Sequence, residues 1–185
     1  MAIIPGVGAS SMHGAVVPIG YVNITNNTTT SVTFSNIPQI YQDLMLVNSV
    51  RQYASTGSAS YTQINGTAYT HHSTELLGNG TSAISGPQGG TDGYLQTGVA
   101  APSTASANIY GVNTIHFLNY TNTTTYKTYI GKGAADQNGS GGVALRCGVG
   151  LVTSAITSLV CVTDGITALA SGSTYALYGV RTVNQ

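Results

Sequence analysis

The stretch SGSTYALYGVR, residues 171–181, contains the pattern that decides the fold. Tyr175 and Leu177 alternate with Ala176 and Tyr178, which is the two-residue period of a half-buried β-strand. Gly172 would allow a tight turn into this strand. The stretch therefore predicts a strand that packs one face against a core.

Similar short segments recur along the chain and are separated by turn-forming clusters such as NGT at 65–67 and GNGT at 78–81. Thr, Val, Ile, Tyr and Gly are abundant, whereas the strong helix formers are scarce. The predicted strands are 19–25, 31–35, 43–51, 60–65, 109–120, 125–132, 143–152, 155–163 and 173–181. About eight or nine short strands of this kind indicate an all-β protein, an antiparallel, jelly-roll-like β-sandwich.

Two segments fall outside the alternating pattern. Residues 1–18 are rich in Gly, Pro and Ala and predict an extended N-terminal arm, so residues 19–185 are expected to form a single sandwich domain. Residues 79–108 are almost uncharged and rich in small residues, which predicts a long loop. Segments of both kinds are expected to gain order from contacts with neighbouring subunits.

Charged residues make up 5% of the chain, and five basic residues balance five acidic ones. A neutral protein has no field that would steer it to nucleic acid or to an anionic membrane, so neither is an expected partner. So few charges favour a subunit of a larger assembly, and the alternative is a neutral, Thr-rich secreted domain. The N-terminus has no basic segment before an apolar run, and no apolar stretch reaches the ~18 residues of a membrane span. We therefore expect synthesis in a cytoplasm.

Few residues could carry chemistry. His71, His72 and Glu75 in HHSTE could bind a metal if they lay in a loop, but adjacent histidines in a strand point to opposite faces. His13 falls in the arm, and His116 fits a half-buried strand position. No nucleophile elbow or phosphate-binding glycine motif is present. The sequence therefore predicts a non-enzymatic protein with no catalytic residue, no metal and no cofactor.

The chain has two cysteines, Cys147 and Cys161, which do not make a disulfide framework. If residues 143–152 and 155–162 formed a hairpin turning about Ser154, the two thiols would lie opposite each other. Two buried, reduced thiols are the expectation that we favour.

Two stretches resemble a known group of proteins. VTFSNIPQIYQDLMLVNSVR, residues 32–51, has a strand, Ile-Pro-x-x-Tyr, Asp-Leu, an apolar strand and Arg, and AITSLVCVTDGITALASGSTYALYGV, residues 155–180, has Ile-Thr-Ser-Leu, Gly-Ser-Thr and Leu-Tyr-Gly. Together they are similar to small sandwich or jelly-roll virion structural proteins of tailed bacteriophages, including marine phages and cyanophages. The resemblance implies a place on a capsid or a tail and supplies no catalytic residue.

The residues themselves suggest how the first stretch folds. Ile37-Pro38 can end one strand and redirect the chain, and Tyr41 can then cover the corner before Asp43 starts the next strand. Gly179 in the last strand would leave room for a neighbouring aromatic ring.

The resulting hypothesis is a capsid decoration or cement protein of the virion, made in the host cytoplasm. It would form a homo-oligomer, with a trimer as the expected number, and bind the major capsid protein or another virion protein. The predicted interface residues are Ile3, Ile4, Pro5, Val7, Val16, Val17, Tyr94, Leu95 and Arg181. The alternative is a tail-fibre, spike or head-fibre domain whose 79–108 loop and tyrosines bind a host receptor or glycan. A metal-dependent enzyme using His71, His72 and Glu75 is the third possibility.

Overall fold

A computed structural model describes residues 16–54, 58–136 and 141–181. These residues form twelve strands and one 3-10 turn at Asp164–Ile166. The strands are β1 Val16–Asn23, β2 Val32–Phe34, β3 Asp43–Val50, β4 Ala59–Ile64, β5 His71–Gly78, β6 Ala83–Gly90, β7 Tyr94–Val99, β8 Gly111–Leu118, β9 Lys127–Asp136, β10 Gly141–Gly150, β11 Leu159–Thr163 and β12 Thr174–Val180.

The strands build two antiparallel sheets that pack as a sandwich. The larger sheet has the order β1-β12-β3-β8-β9-β10-β5-β6, and the smaller has the order β2-β11-β4-β7. Strands β1 to β4 alternate between the larger and the smaller sheet, as in a jelly roll, and the hairpins β9–β10 and β5–β6 extend the larger sheet beyond β8. The predicted jelly-roll-like sandwich is therefore confirmed, with three more strands than the upper estimate.

The core lies between the sheets because each strand alternates an inward apolar position with an outward one. Strand β3 follows this period, with every second side chain buried from Leu44 to Val50. The apolar side chains that meet in this core include Leu44, Leu46, Ile115, Phe117, Tyr175 and Leu177 from the larger sheet and Val32, Phe34, Ile64, Leu95, Leu159 and Cys161 from the smaller one.

The corner before β3 folds as the sequence predicts. Tyr41 is buried, and its ring lies so close to Gly179 that a Cβ there would approach it to 2.2 Å. The Tyr120 hydroxyl donates a hydrogen bond to the Pro38 carbonyl beside the same corner. Gly172 has a φ of 94°, so the turn into β12 uses a left-handed conformation that glycine adopts without strain. These contacts fasten β12 to the corner between β2 and β3.

Residues 79–108 are not a long loop, so that prediction is wrong. They contain β6, which pairs with β5, and β7, which pairs with β4. The sequence AISGPQGG of β6 has no two-residue period of apolar side chains, and its extended form comes from hydrogen bonding to β5. The rest of the segment is held by Arg51, whose guanidinium donates to four carbonyls, those of Ser103, Ala105, Ser106 and Ile109.

Strand β1 begins at Val16, so the last three residues of the predicted arm pair with β12. Residues 1–15 lie outside the described residues.

The cysteine hairpin is also wrong. Cys147 lies in β10 of the larger sheet and Cys161 in β11 of the smaller sheet. Both are free, but only Cys161 is buried, and Cys147 is exposed.

Candidate interaction surface

The side chains of β10 alternate between exposed and buried positions, but the larger apolar side chains are on the exposed side. Val143, Leu145 and Cys147 are exposed on the side that points away from the smaller sheet. The inward side carries Ala144 and Arg146, which are buried, and Gly148. Apolar side chains normally face the core of a sandwich. The apolar side of β10 therefore lacks a cover within the described chain.

The neighbouring strands extend this apolar surface, which we call the outer face. It is the side of the larger sheet opposite the smaller sheet, and its apolar members are Met45, Val47, Leu76, Val112, Leu118, Ile130, Ala134, Val143, Leu145, Cys147, Ala176 and Tyr178. Val143 is 64% exposed, Val112 is 54% exposed and Leu76 is 52% exposed. Large apolar side chains at this exposure, contiguous over several strands, are typical of a surface that binds another macromolecule.

Backbone register brings these residues into rows across the sheet. Leu76, Leu145, Lys132, Thr114 and Val47 lie opposite one another on five successive strands. Lys132 is the single charged side chain in that row. The row predicts recognition by shape and apolar contact rather than by charge.

The outer face is not flat. A shallow depression of about 480 Å³ is lined by Val47, Val112, Ala134 and Val143, among others. A second, of about 260 Å³, lies beside it between His116, Ile130 and Leu145. Ile130 and Leu145, which line the second depression, are 44% and 47% exposed.

The inner side of the same strands carries charged groups that are neutralised within the fold. Arg146 donates from Nη2 to Glu75 Oε2 at 2.8 Å and from Nε to the same oxygen at 3.0 Å. The side chains are 5% and 11% exposed. Gln88 donates to the other oxygen of Glu75. Burying a charge requires a partner of this kind, so these residues serve the structure.

Strand β7 ends the smaller sheet, and side chains from the larger sheet satisfy its open edge. The Tyr129 hydroxyl donates to the Gln96 carbonyl at 2.9 Å. The Asn113 side chain accepts from the Val99 amide and donates to the Val99 carbonyl, both at 2.7 Å. Burial raises the pKa of Tyr129 to about 12, so the phenol stays a neutral donor. The edge that would otherwise attract another strand is therefore closed.

Lys127 is a buried cation without a carboxylate among its hydrogen-bond partners. Its ammonium donates to the backbone carbonyls of Asn122, Thr125 and Thr153. Burial lowers the pKa of Lys127. The residue holds the loops that contain Asn122 and Thr153 to the start of β9.

The proposed metal ligands are not brought together. His71 and His72 point to opposite sides of β5, since His71 is buried and His72 is exposed. His71 lies 3.0 Å from an Asp92 oxygen, whereas Glu75 bonds to Arg146. The described parts of the chain contain no group of three or more His, Cys, Asp or Glu side chains placed to hold a metal ion. His116 is half-buried on β8, as the sequence predicts.

The predicted interface residues fall in different places. Ile3, Ile4, Pro5 and Val7 lie outside the described residues. Val16 and Val17 begin β1, which the register places beside Val180, next to Arg181. Arg181 lies over the Tyr41 ring at 5.8 Å from its centroid.

The other two predicted interface residues, Tyr94 and Leu95, belong to the smaller sheet. Tyr94 is half-buried, and Leu95 is 0% exposed in the core. A fully buried side chain cannot contact a partner, so the assignment of Leu95 to the interface is wrong.

The interface residues predicted from the sequence do not include Leu76, Val112, Val143 or Leu145. The signal that could have found them is the alternation in VALRCGV, residues 143–149, in which the apolar set is larger than the set on the other face.

Comparisons of the chain with models of protein families, with curated proteins and with solved structures give no match. Among the described residues there is no helix long and apolar enough to cross a bilayer. The outer face and the two stretches that resemble virion proteins are therefore the features that bear on function.

Proposed function

We propose that this protein is a non-enzymatic structural component of a tailed-phage virion, a decoration or cement protein that forms a homo-oligomer on the capsid. The observation that carries the proposal is the open, nearly uncharged apolar outer face. A large exposed apolar surface of this kind is typical of a site that contacts another macromolecule.

The placement of the charges supports a structural role. Four of the five basic residues bind the protein's own groups: Arg51 and Lys127 bind backbone carbonyls, Arg146 binds Glu75, and Arg181 lies over Tyr41. Groups used in this way are not available to a substrate. An enzyme needs titratable side chains that converge on an accessible site.

The two stretches that resemble virion proteins also lie together in the fold. Residues 32–51 supply β2, the Tyr41 corner and β3, and residues 155–180 supply β11 and β12. Strand β2 pairs with β11, and β3 pairs with β12. The resemblance therefore covers one contiguous part of both sheets, which supports its being a shared structural unit.

Quantitative mass spectrometry of purified virions tests the proposal. The expected result is hundreds of copies of the protein per particle, measured against the major capsid protein. A count of a few to a few dozen copies would overturn the decoration role and favour the receptor- or glycan-binding alternative on a tail or vertex. Absence from the particle would overturn both.

A deletion tests how the protein attaches. Strand β1 starts at Val16, and Val17 packs against the core, so removal of residues 1–15 leaves the described sandwich whole. We expect the shortened protein to keep its thermal unfolding midpoint and to lose binding to capsids stripped of the native protein. Binding at the affinity of the full chain would show that residues 1–15 are not the attachment element.

A further inference from the structure

The sheet edges offer little to a partner. The two edges of the larger sheet carry Pro18 in β1, beside a register shift, and Pro87 in β6, and proline cannot donate to an added strand. In the smaller sheet, β2 is three residues long and β7 is closed by Tyr129 and Asn113. Contact through strand addition is therefore disfavoured at every edge of the described sandwich. The outer face remains.

The area of the outer face meets the need of a stable dimer. Six adjacent strands, from β12 to β5, present apolar side chains outward, which at about 4.8 Å between strands gives a width of about 29 Å. Seven residues along each strand, at about 3.3 Å each, give a length of about 23 Å. The product is about 650 Å² for each copy, or about 1,300 Å² for two, which lies within the roughly 1,200–2,000 Å² of specific interfaces.

The chemistry of the face favours a second copy of the same chain. The net charge of the protein is zero, so two copies do not repel each other. A charged partner would find only Lys132 in the central row. Val112 and Val143 are exposed and border a depression of the same face, so the surface carries both exposed apolar side chains and a hollow. A contact across a two-fold axis pairs the same surface on both copies, so each copy offers its exposed apolar side chains to the hollow of the other.

We infer that the outer face binds the outer face of a second copy, with the two larger sheets stacked as in a sandwich. This inference rests on the proposed function, because it specifies the contact within the homo-oligomer. A contact of one face with itself closes at two subunits, so the contact unit is a dimer in place of the trimer expected from the sequence. Stacked sheets lie about 10 Å apart, which removes the exposed apolar rows from water.

Sedimentation velocity of the full chain over a concentration series tests the inference. We expect the wild-type protein to sediment as a dimer, and Val143→Asp and Leu145→Glu to sediment as monomers that still unfold cooperatively. The matched control is Ile40→Glu. Ile40 is 62% exposed but lies between β2 and β3, away from the outer face, so this variant should stay dimeric. A monomeric wild-type protein, or an oligomer that survives both outer-face variants, would overturn the inference.

Cys147 supplies a second measurement that needs no substitution. It is exposed on the outer face, whereas Cys161 is buried, and burial raises the pKa of that thiol to about 12, so only Cys147 should react quickly with a maleimide. We expect its labelling rate to fall several-fold as the protein concentration rises and dimers form. A rate that is independent of concentration while the protein dimerises would show that the contact lies elsewhere.

The two proposals can fail separately. A dimer that forms through the outer face but is missing from virions would overturn the virion role and leave the contact standing. An abundant virion protein that is monomeric in solution would do the reverse.

Discussion

The two faces of the larger sheet are formed by the same strands but differ in which side chains they bury and expose. On the inner face, β9 and β10 bury Lys127, Tyr129 and Arg146, and each of these makes hydrogen bonds inside the fold. On the outer face, the same two strands expose Ile130 and Leu145 to solvent. On these two strands, several buried positions therefore hold polar side chains and several exposed positions hold apolar ones. What distinguishes the faces is whether each group finds its partner within the chain.

The inner face shows why polar groups are tolerated in this core. Strand β7 lies over β9 and β8, and its carbonyls would be unpaired without Tyr129 and Asn113. Because an unpaired buried carbonyl or amide is expensive, these side chains fix the position of β7 over the sheet. Within residues 16–54, 58–136 and 141–181, no strand covers the outer face in the way that β7 covers the inner one. The proposed dimer would supply its partner from a second copy of the chain.

The largest expected effect is on the inner ion pair. Glu75→Leu would leave the Arg146 guanidinium buried without its carboxylate, and we expect the free energy of unfolding to fall by about 3–5 kcal/mol. The double variant Glu75→Leu/Arg146→Met removes both charges and should recover most of that loss. Urea denaturation of the three proteins measures the effect. Equal losses in the single and double variants would contradict the view that the pair exists to neutralise a buried charge.

The second prediction compares the same Gly→Ala substitution on the covered inner face and on an edge strand. A Cβ at Gly131 would lie 2.4 Å from the Thr97 carbonyl oxygen of β7, whereas a Cβ at Gly86 in β6 meets nothing within 4 Å. Gly131→Ala should therefore destabilise the protein by about 1–3 kcal/mol through overpacking, and Gly86→Ala should leave stability within about 0.5 kcal/mol. Thermal or chemical unfolding of both variants measures the difference in stability. Equal stabilities would mean that β7 does not seat on Gly131.

The third prediction, of a smaller effect, compares an Ile→Val substitution on the inner face with one on the outer face. Ile115 is 0% exposed on the inner side of β8, and Ile130 is 44% exposed on the outer side of β9. Introduced into the Leu145→Glu protein, which removes the proposed dimer, Ile115→Val should cost about 1 kcal/mol and Ile130→Val less than about 0.5 kcal/mol. In the dimeric wild-type background, Ile130→Val should also weaken association. An effect of Ile130→Val on monomer stability as large as that of Ile115→Val would mean that the outer face is packed within one chain.

The smallest effect concerns the rim of the inner face. The Tyr94 amide and His71 hydrogen-bond to Asp92 and lower its pKa below the usual 3.8. A carboxylate with a lowered folded pKa adds stability above its unfolded pKa and loses it as the pH falls through the folded pKa. Wild type should therefore be slightly more stable than Asp92→Asn at pH 6, and the difference should shrink at pH 3. A difference that does not change with pH would exclude the charge of Asp92 as its source.

The strands that the sequence predicts correctly are those with their own pattern. Strands β3 and β12 alternate large apolar residues with polar or half-buried ones, so hydrophobic burial selects the strand and the face together. Strand β6, with Gly86 and Pro87 near its centre, has no such pattern and becomes a strand through its pairing with β5. Pairing between distant segments leaves no local signal. This is why the segment around it was predicted to be a loop.

The predicted and observed surface residues show the same difference between local sequence pattern and long-range pairing. Tyr94 and Leu95 were predicted at an interface because they fall in an unpatterned segment, yet Leu95 is in the core. Val143 and Leu145 have the alternation of a strand, and that pattern alone does not say which side the second sheet covers. Only the position of β7 shows that the side with Arg146 is covered and the side with Leu145 is open.

The sequence by itself determined the all-β class, the neutral surface, the corner at Tyr41 and Gly179, and most of the strands. Each of these follows from local spacing, composition or the size of a side chain. Tertiary structure alone decided the strand order, the pairing of Arg146 with Glu75, the separation of Cys147 from Cys161 and the exposure of the outer face. These depend on which segments meet after long-range pairing. A two-residue period specifies two faces of a strand, and only the arrangement of the sheets specifies which face is buried.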